Sequence, residues 1–343
     1  MRAFIDELSA RGKKAAAWLA SQVDAQGSLP CDEDLGCYYK CVTPLRLAGY
    51  STEASLLLER VLRLFLRADG DLSNPGDRKT SGTYTSFFCQ CYPNGWVAQG
   101  AFLLGRLDAF RLLMGGLLRN YYDPGTGSFR SSHAPETDIV DINSTATALE
   151  LFLLCDMPKA RRAADLLCRF VEEQPDPARW FYTRISPPFA YVTQPDPRSE
   201  TYSAIRIGEE RQGYWMLGLP CAVLIQAGQA TGEERYLRAA ETYFDVFLSC
   251  GEPAYRWITS GKSAWAAAML YRLTGKEKYI TALRRIVGFL SSLQAENGCF
   301  RFPGMRLEQM SPKLLYDETP EYIKWYLDIA AELAAVSAGP RAS

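Results

Sequence analysis

Two kinds of helical segment alternate along this chain, and that alternation limits its fold more than any other feature. Read for a 3.6-residue period, the helical segments fall at 3–23, 35–48, 52–68, 93–104, 106–121, 143–155, 158–173, 212–230, 233–250, 261–273, 276–293 and 320–337. One kind is amphipathic, as in LLLERVLRLFLRA, KARRAADLLCRFV, EERYLRAAETYFDVFL and EKYITALRRIVGFL. Charges sit on one face and apolar residues on the other, so each buries one side only. The other kind, AVLIQAGQA, TATALELFLL and AWAAAMLYRL, is apolar nearly all round and must be covered on most sides. Half-buried helices alternating with fully buried ones predict a ring of six hairpins, with inner helices around the axis and outer helices wrapping them. The first segment reads as outer and the last as inner, so the chain ends pair and close the ring.

The expected fold is therefore all-α, an (α/α)6 barrel or toroid over residues 1–338, with 339–343 as a flexible tail. An open solenoid is the competing architecture. Its repeats keep similar lengths, whereas the linkers at 74–92 and 175–210 are long and irregular. Both run from an outer helix into an inner one, so both lie on the rim of the inner-helix N-termini. Loops of that length in a compact domain are more often lids or binding loops than idle connections. Gly49, Gly232 and Gly275 stand where a helix end needs a left-handed residue.

Composition narrows the function classes. Of 343 residues, 48% are hydrophobic, enough for a large core. The formal net charge is −1 with no basic stripe, so a nucleic-acid partner lacks its electrostatic footprint. No apolar run approaches the roughly 18 residues of a spanning helix, and the N-terminus has no apolar signal-peptide core. A cytoplasmic location is expected. Phosphate-loop and dinucleotide fingerprints are absent, so no nucleotide cofactor is implied. The sequence does not fix an oligomeric state.

Ten cysteines do not form a disulfide framework here, since this is not a short secreted chain. Cys155, Cys168 and Cys221 fall in apolar helical patterns and read as buried thiols. The pairs Cys37/Cys41 and Cys89/Cys91 lack zinc-module spacing, and no metal is expected. The only histidine, His133, leaves no pair of imidazoles to act as acid and base.

The starts of the inner helices carry the chemistry. They read DLGCYYK, CYPNGWVAQ, DINSTAT, ERQGYWMLG, TSGKSAWAA and DETPEYIKWY. Each combines an aromatic or a small turn with an acid, amide or base. In a closed ring they converge on one opening, an aromatic pocket with a few polar groups, which is the usual form of a small-molecule site. Asp141, Asp138, Asp34 and Lys262 are the candidate catalytic residues. Tyr38, Tyr39, Lys40, Asn94, Trp96, Asn143, Gln212, Tyr214, Trp215 and Trp265 are the candidate substrate contacts. Asp141 and Asp34 also read as helix caps, Asp138 as a solvated loop acid, and the tryptophans as core. A buried lysine needs a partner, so a Lys–Asp pair across the mouth is expected for Lys40 or Lys262.

Two resemblances follow from these residues. SLQAENGCF, with Gln294, Gly298 and Phe300, is similar to the Q-x3-G-x-[W/F] turn of the squalene-cyclase and prenyltransferase α/α toroids. DINSTATAL resembles the class II terpene cyclase acid motif D-x-D-D-T-A through Asp141, Thr145 and Ala146. Asn143 and Ser144 replace its second and third aspartates, and an amide cannot supply the proton that starts cyclisation. Phrases such as ATGEERYLRAAETYFDVFLSC are more weakly similar to the outer helices of six-hairpin sugar enzymes, the unsaturated glucuronyl hydrolases and N-acylglucosamine 2-epimerases.

The leading expectation is a cofactor-independent cyclase, isomerase or lyase for a small lipophilic metabolite, isoprenoid or polyene-like. Aromatic walls would shield its intermediates from water, and Asp141 would be the acid or base. The alternative is a carbohydrate-active enzyme, uronyl hydrolase-like or epimerase-like, with aspartates as acid and base and tryptophans stacked on the sugar. The third is a non-catalytic toroid that binds a ligand or partner.

Overall fold

The computed structural model describes residues 1–76, 78–133 and 138–337, so the expected tail at 339–343 lies outside it. Its barrel helices are α1 (Arg2–Ser21), α2 (Val42–Leu47), α3 (Ser51–Phe65), α4 (Cys91–Leu103), α5 (Leu107–Asn120), α6 (Ile142–Cys155), α7 (Met157–Glu172), α8 (Trp215–Thr231), α9 (Glu234–Ser249), α10 (Gly261–Thr274), α11 (Glu277–Ser292) and α12 (Pro312–Ser337). Odd-numbered helices are outer and even-numbered ones inner. Each inner helix packs against the next, and α12 against α2, so the inner ring closes. The fold is the expected (α/α)6 toroid.

The closure is built from both chain ends. Helix α1 lies along α12, with Gly12 against the Leu327 side chain. The Gln294 amide donates to the Arg11 carbonyl at 3.0 Å and to the Gly298 carbonyl at 3.1 Å, tying the turn after α11 to α1. Inside the ring, the inner helices touch nearly backbone to backbone. A methyl group on Gly218 of α8 would sit 2.3 Å from the Ser263 amide of α10, so only glycine fits. Gly232 and Gly275 end α8 and α10 in the left-handed region, at φ 73° and 66°.

Three details differ from the sequence reading. The 35–48 segment breaks between a single turn at Leu35–Tyr38 and α2. Pro44 has no N–H to donate to the Lys40 carbonyl, so the ladder is interrupted beside Lys40. Helix α12 begins at Pro312, not at 320; Pro320 lies inside the helix and does not start it. The 175–210 linker carries short strands in place of irregular loop. β1 (Tyr122–Asp123) pairs with β2 (Ser128–Phe129) before it. Within it, β4 (Trp180–Tyr182) pairs with β7 (Ala204–Arg206). β5 (Arg184–Ser186) joins β3 (Val140–Asp141) to β6 (Ala190–Tyr191). Cys168 and Cys221 are buried as expected, but Cys155, the last residue of α6, is exposed. No described helix is long and apolar enough to cross a membrane.

Candidate functional site

The inner-helix N-termini open into a cavity of about 410 Å³. The break at Pro44 places Lys40 on its wall, and the first three turns of α12 bring in Asp317, Glu318 and Glu321. Lys262 enters from the start of α10, just after Gly261. The Trp325 ring lies on Gly261, where a methyl group would come within 1.8 Å of it, so this glycine seats the indole in the cavity floor.

These side chains form one ion cluster. Lys40 Nζ is 2.8 Å from Asp317 Oδ1 and 2.9 Å from Glu321 Oε1. Lys262 Nζ donates to both oxygens of Glu321, at 3.0 and 3.1 Å. The Tyr92 hydroxyl donates to Glu321 Oε1 at 2.8 Å, and the Tyr39 hydroxyl to Asp317 Oδ1 at 3.0 Å. Lys262 also lies 5.5 Å from the ring centres of Tyr92 and Trp325.

Charge and burial compete at each group. Burial works against the Glu321 carboxylate, but Lys262 and Lys40 outweigh it and hold its pKa down at about 2. Burial lowers the Lys262 pKa; one carboxylate does not offset it, and the Lys40 charge adds to the fall. Lys40 is equally buried but faces both Asp317 and Glu321, so its pKa rises. Glu318 has no hydrogen bond or ion pair among the described residues. Burial, then the adjacent Asp317 charge, raises its pKa well above the usual carboxylate range, which favours the neutral acid.

The outer wall is aromatic and comes largely from the two long linkers. The rings of Tyr84 and Trp215 lie 5.3 Å apart, those of Tyr84 and Tyr202 5.0 Å, and Trp215 donates to the Tyr84 hydroxyl at 3.4 Å. Thr201 and Tyr202, from the 175–210 linker, are part of the cavity wall.

Of the residues singled out in the sequence, Tyr39, Lys40, Gln212, Trp215 and Lys262 line the cavity. The expected lysine–aspartate pair is Lys40–Asp317. The others stand elsewhere. Asp141 is the N-cap of α6, accepting from the Asn143 and Ser144 amides at 2.8 Å each and from the Ser131 and Ser144 hydroxyls. Its oxygens are occupied, and it is not in the cavity wall. Asp138 is exposed, 3.7 Å from Arg130. Asp34 caps the Leu35–Tyr38 turn and is held by Gly36, Asn74 and Ser81.

The remaining candidates are core. The Tyr38 hydroxyl accepts from the Leu29 amide, and the Tyr214 hydroxyl donates to the Glu209 carbonyl. Asn94 accepts from Lys79, and Asn143 packs against Cys89. Trp96 and Trp265 line a small void beneath the floor, where Lys324 Nζ lies 4.1 Å from the Trp265 ring centre. His133 is exposed, near Asn120. Among the described residues no three His, Cys, Asp or Glu side chains are grouped to hold a metal ion.

Asp317, Glu318 and Glu321 were missed individually, although the segment that carries them was read as part of the rim. The signal was present: Asp317 and Glu321 are four residues apart and share one helix face. Reading Pro320 as a helix start hid it.

No protein-family model matches the chain, and no curated protein matches it in sequence. Solved structures do match its fold. A D-mannose isomerase is similar at TM-score 0.70 and 13% identity, over 98% of this chain and 99% of that one. A sugar epimerase from a ruminal bacterium is similar at TM-score 0.65 and 11% identity, over 98% of this chain and 100% of that one. A family 76 glycoside hydrolase (mannosidase) from Bacteroides thetaiotaomicron VPI-5482 is similar at 0.64 and 13%, over 98% and 100%. At these identities the likeness shows the fold, that of six-hairpin toroids. The resemblance to squalene cyclases and prenyltransferases finds no counterpart among these structures.

Proposed function

We propose that this protein is a carbohydrate-active enzyme that moves a proton beside a sugar carbonyl, as an isomerase or epimerase does. The observation that carries the reading is the ion cluster on the cavity floor. Lys40 and Lys262 each use two of three ammonium protons on carboxylates, which leaves one donor apiece for a ligand oxygen. Asp317 Oδ2 has no hydrogen-bond partner among the described residues, and burial and the Asp317 charge favour the neutral form of Glu318 beside it. A base, an acid and two cations together suit enolisation. Asp317 takes the proton from the carbon next to the carbonyl, Glu318 protonates the carbonyl oxygen, and the ammoniums stabilise negative charge on the oxygens as it develops. The aromatic wall supplies stacking faces for the sugar ring. The fold likeness to a mannose isomerase and a sugar epimerase supports the same reading.

The lipophilic-metabolite expectation has less support: four charged groups floor this cavity, and the fold neighbours are sugar enzymes. The test is to incubate the protein with mannose, glucose, N-acetylmannosamine and a glucuronate in D2O and follow the sugars by proton NMR. Deuterium entering at the carbon next to the carbonyl is the expected result. Release of reducing ends from an α-mannoside with no exchange would move the assignment to glycoside hydrolysis.

A further inference from the structure

The floor of the cavity is balanced in charge and the mouth is not. Lys40 and Lys262 face Asp317 and Glu321, two cations against two anions. Two further cations, Arg211 and Lys313, line the same cavity. Neither has a carboxylate partner among the described residues. Arg211 has only the Trp257 ring, 5.9 Å from its guanidinium carbon. Its backbone sits at φ 58°, the left-handed region that residues with a Cβ rarely adopt. Strain of that kind gathers where a side chain serves a ligand.

Lys313 stands over a small cradle. A methyl group on Gly82 would lie 3.3 Å from Lys313 Nζ, 3.3 Å from Thr80 Oγ1 and 3.3 Å from Thr85 Oγ1. The Lys313 ammonium and two buried hydroxyls thus lie close around the Gly82 α-carbon, and a side chain at this position would crowd all three. The Thr80 and Thr85 hydroxyls hydrogen-bond to each other, which uses one of their two protons; the other has at most the long 3.4 Å bond to the Gly82 carbonyl and can turn to a better acceptor. The nearby Asp34 carboxylate is already taken by Ser81, Asn74 and Gly36.

We infer that the sugar taken by this cavity is anionic, with a carboxylate or phosphate held at the mouth by Lys313, Arg211 and the Thr80–Thr85 loop. This rests on the carbohydrate reading above and narrows its substrate class. The orientation follows from charge: on the floor Lys40 and Lys262 are already paired with Asp317 and Glu321, whereas the two cations at the mouth have no carboxylate partner among the described residues. A concave, low-dielectric wall also focuses the field of the two cations onto the entrance.

Calorimetric titration of the full chain with mannose, mannose 6-phosphate, glucuronate and inorganic phosphate tests this. The expected result is that a charged sugar binds at least about tenfold more tightly than mannose, as a charge-assisted contact gives. Salt should weaken that preference, and the winner between phosphate and carboxylate identifies the group. Lys313→Met should reduce the preference by a similar factor. Gly82→Ala, which fills the cradle, should reduce it while Lys313 is still present; melting curves check that both variants fold. If mannose binds as tightly as the charged sugars and neither variant changes the ratio, the anionic inference is overturned and the carbohydrate reading survives. If no sugar binds, both fall, even where inorganic phosphate does bind.

Discussion

One buried carboxylate holds two buried ammoniums: Glu321 accepts from Lys262 at 3.0 and 3.1 Å and from Lys40 at 2.9 Å. The pairing joins α12 to its two neighbours in the inner ring, α10 and the broken segment before α2. It therefore ties three inner segments together at the level where ligand chemistry is proposed.

Removing that carboxylate leaves two charges in the interior. Glu321→Gln should destabilise the protein by about 3–5 kcal/mol, the usual effect of breaking a buried ion pair from one side. Urea denaturation at neutral pH measures it. Lys262→Met combined with Glu321→Leu should recover much of the loss, because Lys40 keeps Asp317, yet the double variant should not turn over sugar. A loss below about 1 kcal/mol for the single variant would mean that the cluster behaves as a solvated surface pair.

Glu318 and Glu321 should give opposite pH dependences. Glu318 has a raised pKa in the folded state, so its favourable contribution is complete below the unfolded value and is lost as pH rises toward the folded one. Glu321 has a lowered pKa, so its contribution is present above the unfolded value and is lost as pH falls toward about 2. Glu318→Gln should therefore raise the melting temperature at neutral and alkaline pH, with the gain vanishing in acid. The slope of stability against pH should change by at most about 1.4 kcal/mol per unit, one proton's worth. The same variant should fold and lose proton exchange on sugars. An unchanged pH profile would remove the neutral acid from the mechanism.

Asp141 should behave as a cap. It satisfies two backbone amides and two hydroxyls at the start of α6. Asp141→Ala should cost about 2–3 kcal/mol, combining a lost N-cap with buried donors left unpaired. Turnover per folded molecule should persist, because the side chain is outside the cavity wall. Activity lost at unchanged stability would return Asp141 to the list of catalytic groups.

The toroid was legible because its signal is repeated: an apolar helix, a turn, an amphipathic helix, six times over. No single misplaced boundary disturbs such a pattern. The site was legible only where a residue sits at an inner-helix start, as Lys40, Trp215 and Lys262 do. It was illegible where a proline hid the boundary. Pro320 suggests a helix beginning, yet α12 starts two turns earlier and carries Asp317 and Glu318 into the cavity. Tyr84 and Tyr202 were out of reach for a different reason. They lie in separate linkers, and only the closed ring brings their rings to 5.0 Å. Asp141 shows the reverse case, since a cap and a catalytic acid at a helix start look alike in sequence.

Trp215 and Trp265 separate ligand platform from core with the same substitution. Both belong to inner helices near the rim, and both read as possible stacking faces. Trp215 is half-buried in the cavity wall beside Tyr84 and Tyr202. Trp265 lies under the floor, with Lys324 Nζ 4.1 Å from its ring centre. Trp265→Ala opens a hole in the closed ring and strips Lys324 of its aromatic face, so it should cost about 3–5 kcal/mol. Sugar affinity of its folded fraction should change little. Trp215→Ala should cost far less stability and weaken sugar binding about tenfold or more, as truncation of an aromatic anchor does. Paired denaturation and titration of the two variants give the comparison. If Trp215→Ala unfolds the protein while Trp265→Ala only weakens binding, the sugar lies deeper on the axis than the cavity described here.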